Sequence, residues 1–148
     1  MAITQAVCDS FKVELLEGEH DFRASGGDAF KLALYDASAT LSNTTTAYSA
    51  TNEVSASGSY SAGGGTLTNT GAAGTGATAY IDFSDISFTS ATISAQAAVI
   101  YNSNTSATSN TNAAVMVLDF GGVKTSTAGT FTITFPTNDS SSAILRLS

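Results

Sequence analysis

Six residues near the end of the chain constrain its fold most. Thr130-Phe131-Thr132-Ile133-Thr134-Phe135 alternates large apolar and hydroxyl side chains without a break. Successive side chains of an extended strand point to opposite faces, so only a β-strand buries all three apolar groups together and leaves the threonines wet. Pro136 follows and, having no N–H to donate, ends the strand. The same period of two runs through residues 29–35, where Phe30, Leu32 and Leu34 alternate with Lys31, Ala33 and Tyr35. That pattern predicts a strand with one buried face. Further strands are predicted at 79–88, 93–101, 114–120 and 143–147. Between Phe83 and Ile86 the in–out phase slips by one, which a bulge at Ser84-Asp85 would explain.

The segments between these runs are made of small and hydroxyl residues. The chain holds 21 Ser and 22 Thr, while charged residues supply only 11%. Disordered chains are charge-rich and poor in apolar groups, and this one is 43% hydrophobic, so it folds. Residues 36–61 carry only Tyr48, Val54 and Tyr60 as large anchors and read as a long loop with an ordered turn at Thr51-Asn52-Glu53. Gly63-Gly64-Gly65 breaks the chain before residues 66–68, and 69–76 is a second small-residue loop. Residues 102–112 form a polar hairpin loop between apolar strands. Seven or eight strands joined this way predict an all-β fold: a single-domain β-sandwich, of jelly-roll or immunoglobulin-like form, with a short N-terminal helix.

That helix is predicted over residues 4–18, where Val7, Cys8, Phe11, Leu15 and Leu16 recur at steps of three and four. Thr4 is the candidate cap and Gly18 the stop. A polar loop then runs through Ser25-Gly26-Gly27-Asp28. The organisation expected is residues 1–28 as helix and docking segment and 29–148 as sandwich, one domain overall. A short helix is marginal alone, so its apolar face must cover something. The candidate interface residues are Phe11, Leu15, Leu16 and Glu17, docking on a partner; the alternative is that they close one end of the chain's own sandwich. On the docking reading, a chain lacking residues 1–18 still folds.

Other chemistry is sparse. The net charge is −7 and the five basic residues, Lys12, Arg23, Lys31, Lys124 and Arg146, are scattered, which argues against nucleic acid as a partner. No apolar run approaches the ~20 residues of a membrane span. The N-terminal residues lack a secretory pattern, so synthesis in the cytoplasm is expected. Cys8 is the only cysteine, which leaves no intrachain disulfide and suits a small buried apolar residue. His20, the only histidine, is expected to be solvent-exposed or capping, and no G-x-S-x-G accompanies it. Asp82, Asp85 and Asp119 flank strong strands and are the one candidate calcium set, but without an Asp-x-Asp-x-Asp-Gly loop they read as ordinary strand-end carboxylates. No catalytic residue, cofactor or metal is assigned, and an enzyme is not expected.

Several stretches resemble a family of small virion proteins of tailed bacteriophages, including cyanobacterial phages. They are Ser10-Phe11-Lys12-Val13-Glu14-Leu15-Leu16-Glu17-Gly18, Thr51-Asn52-Glu53-Val54 with Tyr60-Ser61-Ala62-Gly63-Gly64, Val99-Ile100-Tyr101-Asn102, and Val117-Leu118-Asp119-Phe120-Gly121 followed by Gly129-Thr130-Phe131-Thr132-Ile133. In order, they span most of the chain, and none is a catalytic signature. The resemblance implies a virion structural protein, made in the host cytoplasm. Its favoured form is a capsid decoration (cement) protein on the outer capsid surface, bound to the major capsid protein as a homo-oligomer, dimer or trimer. The alternative is a tail, baseplate or head-fibre protein whose loops at 36–61 and 102–112 recognise a host.

Overall fold

The computed structural model describes residues 2–104 and 110–148. In chain order it contains β1 (Ala6–Val7), α1 (Asp9–Leu16), β2 (Phe30–Tyr35), β3 (Gly65–Thr66), β4 (Ala73–Thr75), β5 (Thr78–Ile81), β6 (Ile86–Asn102), β7 (Ala114–Ile133) and β8 (Leu145–Leu147). The strands form two antiparallel sheets, β1-β7-β6-β2-β3 and β4-β5-β8. The fold is an all-β, sandwich-like single domain with one short helix.

The spine is the β6–β7 hairpin, in register from Ile86↔Ile133 to Tyr101↔Ala114. The stretches 93–101 and 114–120 lie in it as expected, but 86–88 joins the first and 130–133 joins the second to make two continuous strands. They stay paired through the Ser/Thr-rich middle because register shifts absorb the extra residues. Residues 105–109 of the expected hairpin loop lie outside the described residues.

The slip between Phe83 and Ile86 is a change of sheet and not a bulge within one strand. β5 ends in the smaller sheet at Ile81 and β6 begins in the larger at Ile86. The buried Asp82 carboxylate holds the crossover by accepting from the backbone N–H of Phe83 at 2.8 Å and of Ile144 at 3.2 Å. Asp85 accepts the Phe135 N–H at 2.8 Å. Burial raises the Asp82 pKa above the usual carboxylate range, against the pull of those two donors.

β2 also departs from the one-face expectation, since every residue except half-buried Lys31 is buried. It sits between β6 and β3, and both its faces are covered. On one, Phe30 stacks on Phe22 at 4.5 Å between ring centroids and meets Phe83 at 5.8 Å. On the other lies the segment 36–64, pinned by hydroxyls. Tyr35 donates to the Ser49 carbonyl and Tyr101 to that of Gly63, both at 2.6 Å. The Glu53 carboxylate accepts from Tyr48 at 2.6 Å and from Tyr60 and the Gly63 N–H at 2.7 Å. Charge-assisted bonds of this kind are about twice as strong as neutral ones, which is how a stretch so poor in large apolar groups stays fixed. The turn expected at Thr51-Asn52-Glu53 is present, with Asn52 at φ 61°.

The N-terminal helix is shorter than its pattern predicts. Residues 3–7 are extended: Ile3 bridges to Leu41, and Ala6 and Val7 pair with Val117 and Met116. The β-branched side chains of Ile3 and Val7 favour this pairing, and the helix starts at Asp9 with Cys8, not Thr4, in the capping position. It ends as expected, with Gly18 at φ 78°. The Gly18 N–H donates to Leu15 and that of Glu19 to Glu14, the paired bonds of a left-handed C-terminal cap.

Candidate interaction surface

The four candidate interface residues part company. Phe11 is 1% exposed and belongs to the chain's own core, against His20 at 4.9 Å and Phe22 at 6.0 Å. It is therefore not available to a partner; burying its ring stabilises the fold itself by about 1.5–3 kcal/mol. Leu15 is half-buried and packs on the core edge. Leu16 is 91% exposed and Glu17 beside it is exposed too. Val13, which lies on the outer side of α1 and was not singled out from sequence, is 57% exposed. The signal for it was available: Phe11 and Glu14 mark the inward face, and Val13 and Leu16 fall on the opposite one at a spacing of three.

Beside α1 an open groove of about 140 Å³ is lined by Leu15, Phe22, Ala79, Ile81, Leu145 and Leu147. Leu147 is 54% exposed. So the helix and the smaller sheet share an apolar rim built from residues 130 positions apart in the chain. Two ion pairs lie on α1 and just after it in the chain: Lys12 meets Asp9 at 2.9 Å, and Arg23 clamps Asp21, pulling that carboxyl down to about 2. Both pairs are exposed and contribute little to stability.

Behind the helix lies a buried polar cluster. His20 is 7% and Glu14 3% exposed, so the histidine is neither exposed nor capping. His20 Nε2 lies 2.7 Å from a Glu14 carboxylate oxygen and Nδ1 lies 3.1 Å from Asn102 Nδ2. The orientation of the Asn102 amide follows from its other partners: Nδ2 donates to Asp28 at 2.8 Å and Oδ1 accepts the Asn104 N–H at 2.9 Å. His20 Nδ1 is thus an acceptor and its proton sits on Nε2, donated to Glu14. Asp28 also accepts the Asp21 N–H at 2.8 Å. With both ring nitrogens engaged and no hydroxyl or thiol among the described residues bonded to either, the imidazole acts as a strut between α1 and the end of β6. Cys8 is fully buried at the helix start, and burial pushes its thiol up to about 11, far from a reactive thiolate.

The candidate calcium carboxylates are held apart by backbone donors. Asp82 and Asp85 take the bonds given above, while Asp119 on β7 accepts the Gly121 N–H at 2.9 Å. Among the described residues, no three His, Cys, Asp or Glu side chains gather where they could hold a metal ion. No described helix is long and apolar enough to cross a membrane.

A larger open groove, about 580 Å³, follows the outer edge of β7 between Leu118-Asp119-Phe120 and residues 130–136, with Gln5, Lys124 and Ile144 at its margins. Comparisons of the chain with family models, with curated proteins and with solved structures yield no match.

Proposed function

We propose that this chain is a structural protein of a tailed-phage virion, and that it decorates the capsid by docking the α1 rim on the major capsid protein. The carrying observation is an apolar groove between α1 and the smaller sheet, lined by Leu15 and by half-exposed Leu147, together with the exposure of Val13 and Leu16 on α1 itself, in a lightly charged, hydroxyl-rich chain. Contiguous apolar surface left in water marks a docking site, whereas single exposed apolar residues do not. A contact of standard size, about 1,600 Å² in total, repeated over a lattice adds strength to a shell without any chemistry. Glu17, exposed and next to Leu16 in the chain, would supply part of a polar margin.

The sequence resemblance supports the virion assignment, and the docking site follows from the exposed rim without Phe11. The test is to add purified chain to particles stripped of it. The native chain should rebind, and Leu16→Glu should lose binding while keeping its fold. Equal binding by Leu16→Glu would move the contact elsewhere.

A tail, baseplate or head-fibre role is the second reading, favoured by the large groove beside β7 and by the pinned segment 36–64, since rigidly held loops carry recognition. Copy number in purified particles separates the two. On the order of hundreds supports decoration, and about six to a few dozen supports the tail.

A further inference from the structure

β7 is covered unevenly along its outer edge. β1 pairs with it only at Met116 and Val117, and past that point no other described strand lies on that side. The first N–H beyond, that of Asp119, is taken by the Gln5 side chain at 3.2 Å. Immediately after, the ladder to β6 opens: Asp119 faces Ala97 and Lys124 faces Ala95, so four residues of β7 stand opposite Gln96 alone. Phe120-Gly121-Gly122-Val123 therefore juts from the sheet. Gly121 and Gly122 have φ of 72° and 147°, and a Cβ on either would meet nothing within 4 Å. Val123 is 49% exposed, one of four large apolar residues so placed among the described residues. Lys124 is exposed and forms no ion pair among the described residues.

Read against its own reverse, this stretch is self-complementary. Asp119-Phe120-Gly121-Gly122-Val123-Lys124, laid antiparallel on a second copy about the Gly121–Gly122 peptide, sets Asp119 opposite Lys124, Phe120 opposite Val123 and glycine opposite glycine, each twice. Self-matching of this kind is what a two-fold interface requires. The glycines leave room for two backbones to approach at the axis, and both charges find an opposite. Elsewhere a net charge of −7 makes two copies repel, but this stretch is neutral. The Phe120 ring, 6.3 Å from Phe131, borders the groove that would receive the partner's Val123.

We infer that the open edge of β7 at residues 119–124 is the contact for a second copy of this chain, paired antiparallel about Gly121–Gly122. The inference deepens the structural role proposed above but uses a different face, so particle binding by a chain that stays monomeric would overturn this inference and leave that one standing.

The test is sedimentation equilibrium of the full chain up to about 1 mM, the weak end of specific association. The native chain should form dimers. Lys124→Glu, which sets Glu against Asp119, should weaken them at least about tenfold. The double swap Asp119→Lys with Lys124→Asp should restore them, with circular dichroism verifying that each variant is folded. A native chain that remains monomeric, a dimer indifferent to Lys124→Glu, or a double swap that stays as weak as the single change would each overturn the inference.

Discussion

The two halves of β7 belong to one continuous strand but do different things. Residues 114–117 are buried, with β6 on one side and β1 and α1 on the other. Residues 119–130 keep β6 but lose the outer neighbour, and they are mostly exposed, broken by the four-residue excursion and by a second irregularity near Ala128, at φ 45°. Val115 and Val117 are fully buried, while Val123 is half-exposed. The same residue type serves as core in one half and as surface in the other. What separates them is edge cover: the sequence pattern of a strand specifies which face is wet, and the neighbours decide whether its edge is.

The harshest way to break this contrast is to remove the cover. A chain lacking residues 1–18 loses β1 together with buried Cys8, Phe11 and Glu14, so it should fail to fold, opposite to what a detachable docking arm requires. Circular dichroism and urea unfolding would register it; a cooperative native-like transition would show that the first half of β7 needs no cover. Phe11→Ala, a milder cut at the same place, should cost about 3–5 kcal/mol in urea unfolding. Asn102→Ala should cost about 1–3 kcal/mol, because it leaves the buried His20 Nδ1 without its donor, while the Asp28 oxygen keeps only the Asp21 N–H. A loss under a few tenths would mean that the cluster is open to water.

Alkali sharpens the contrast from the other face. Tyr48 and Tyr101, stacked at 4.8 Å, are pushed up to about 12, chiefly by burial, with the Glu53 carboxylate adding to it. Burial raises Tyr35 and Tyr60 further still. A phenol whose folded pKa lies above its unfolded value near 10 keeps its proton longer in the native state, so stability is level below pH 10 and falls as pH climbs from about 10 to about 12. Melting temperatures across that interval should drop, and Tyr48→Phe should drop less. The smallest effect belongs to the exposed half: Lys124→Glu should change monomer stability by no more than about 0.5 kcal/mol.

The β class, the helix stop at Gly18 and the turn at Thr51-Asn52-Glu53 were legible because each is written within a few neighbouring residues. The buried cluster was not. Glu14, His20 and Asn102 are polar and read as surface, and their burial depends on partners as far as 96 residues apart. β1 was hidden because Val7 and Cys8 extend the spacing of the true helix, and pairing with β7 is needed to pull residues 6–7 into a strand. Of the candidate interface, Leu16 and Glu17 are where a docking residue must be, outside. Phe11 is not, since periodicity marks an apolar face without saying what covers it.

Residue-resolved hydrogen exchange along β7, at a dilution that keeps the chain monomeric, tests the contrast most directly. The amides of Val115 and Val117 should exchange only through global unfolding, and outward-facing amides between residues 121 and 129 should exchange faster by orders of magnitude. Uniform protection from residue 114 to 133 would contradict it.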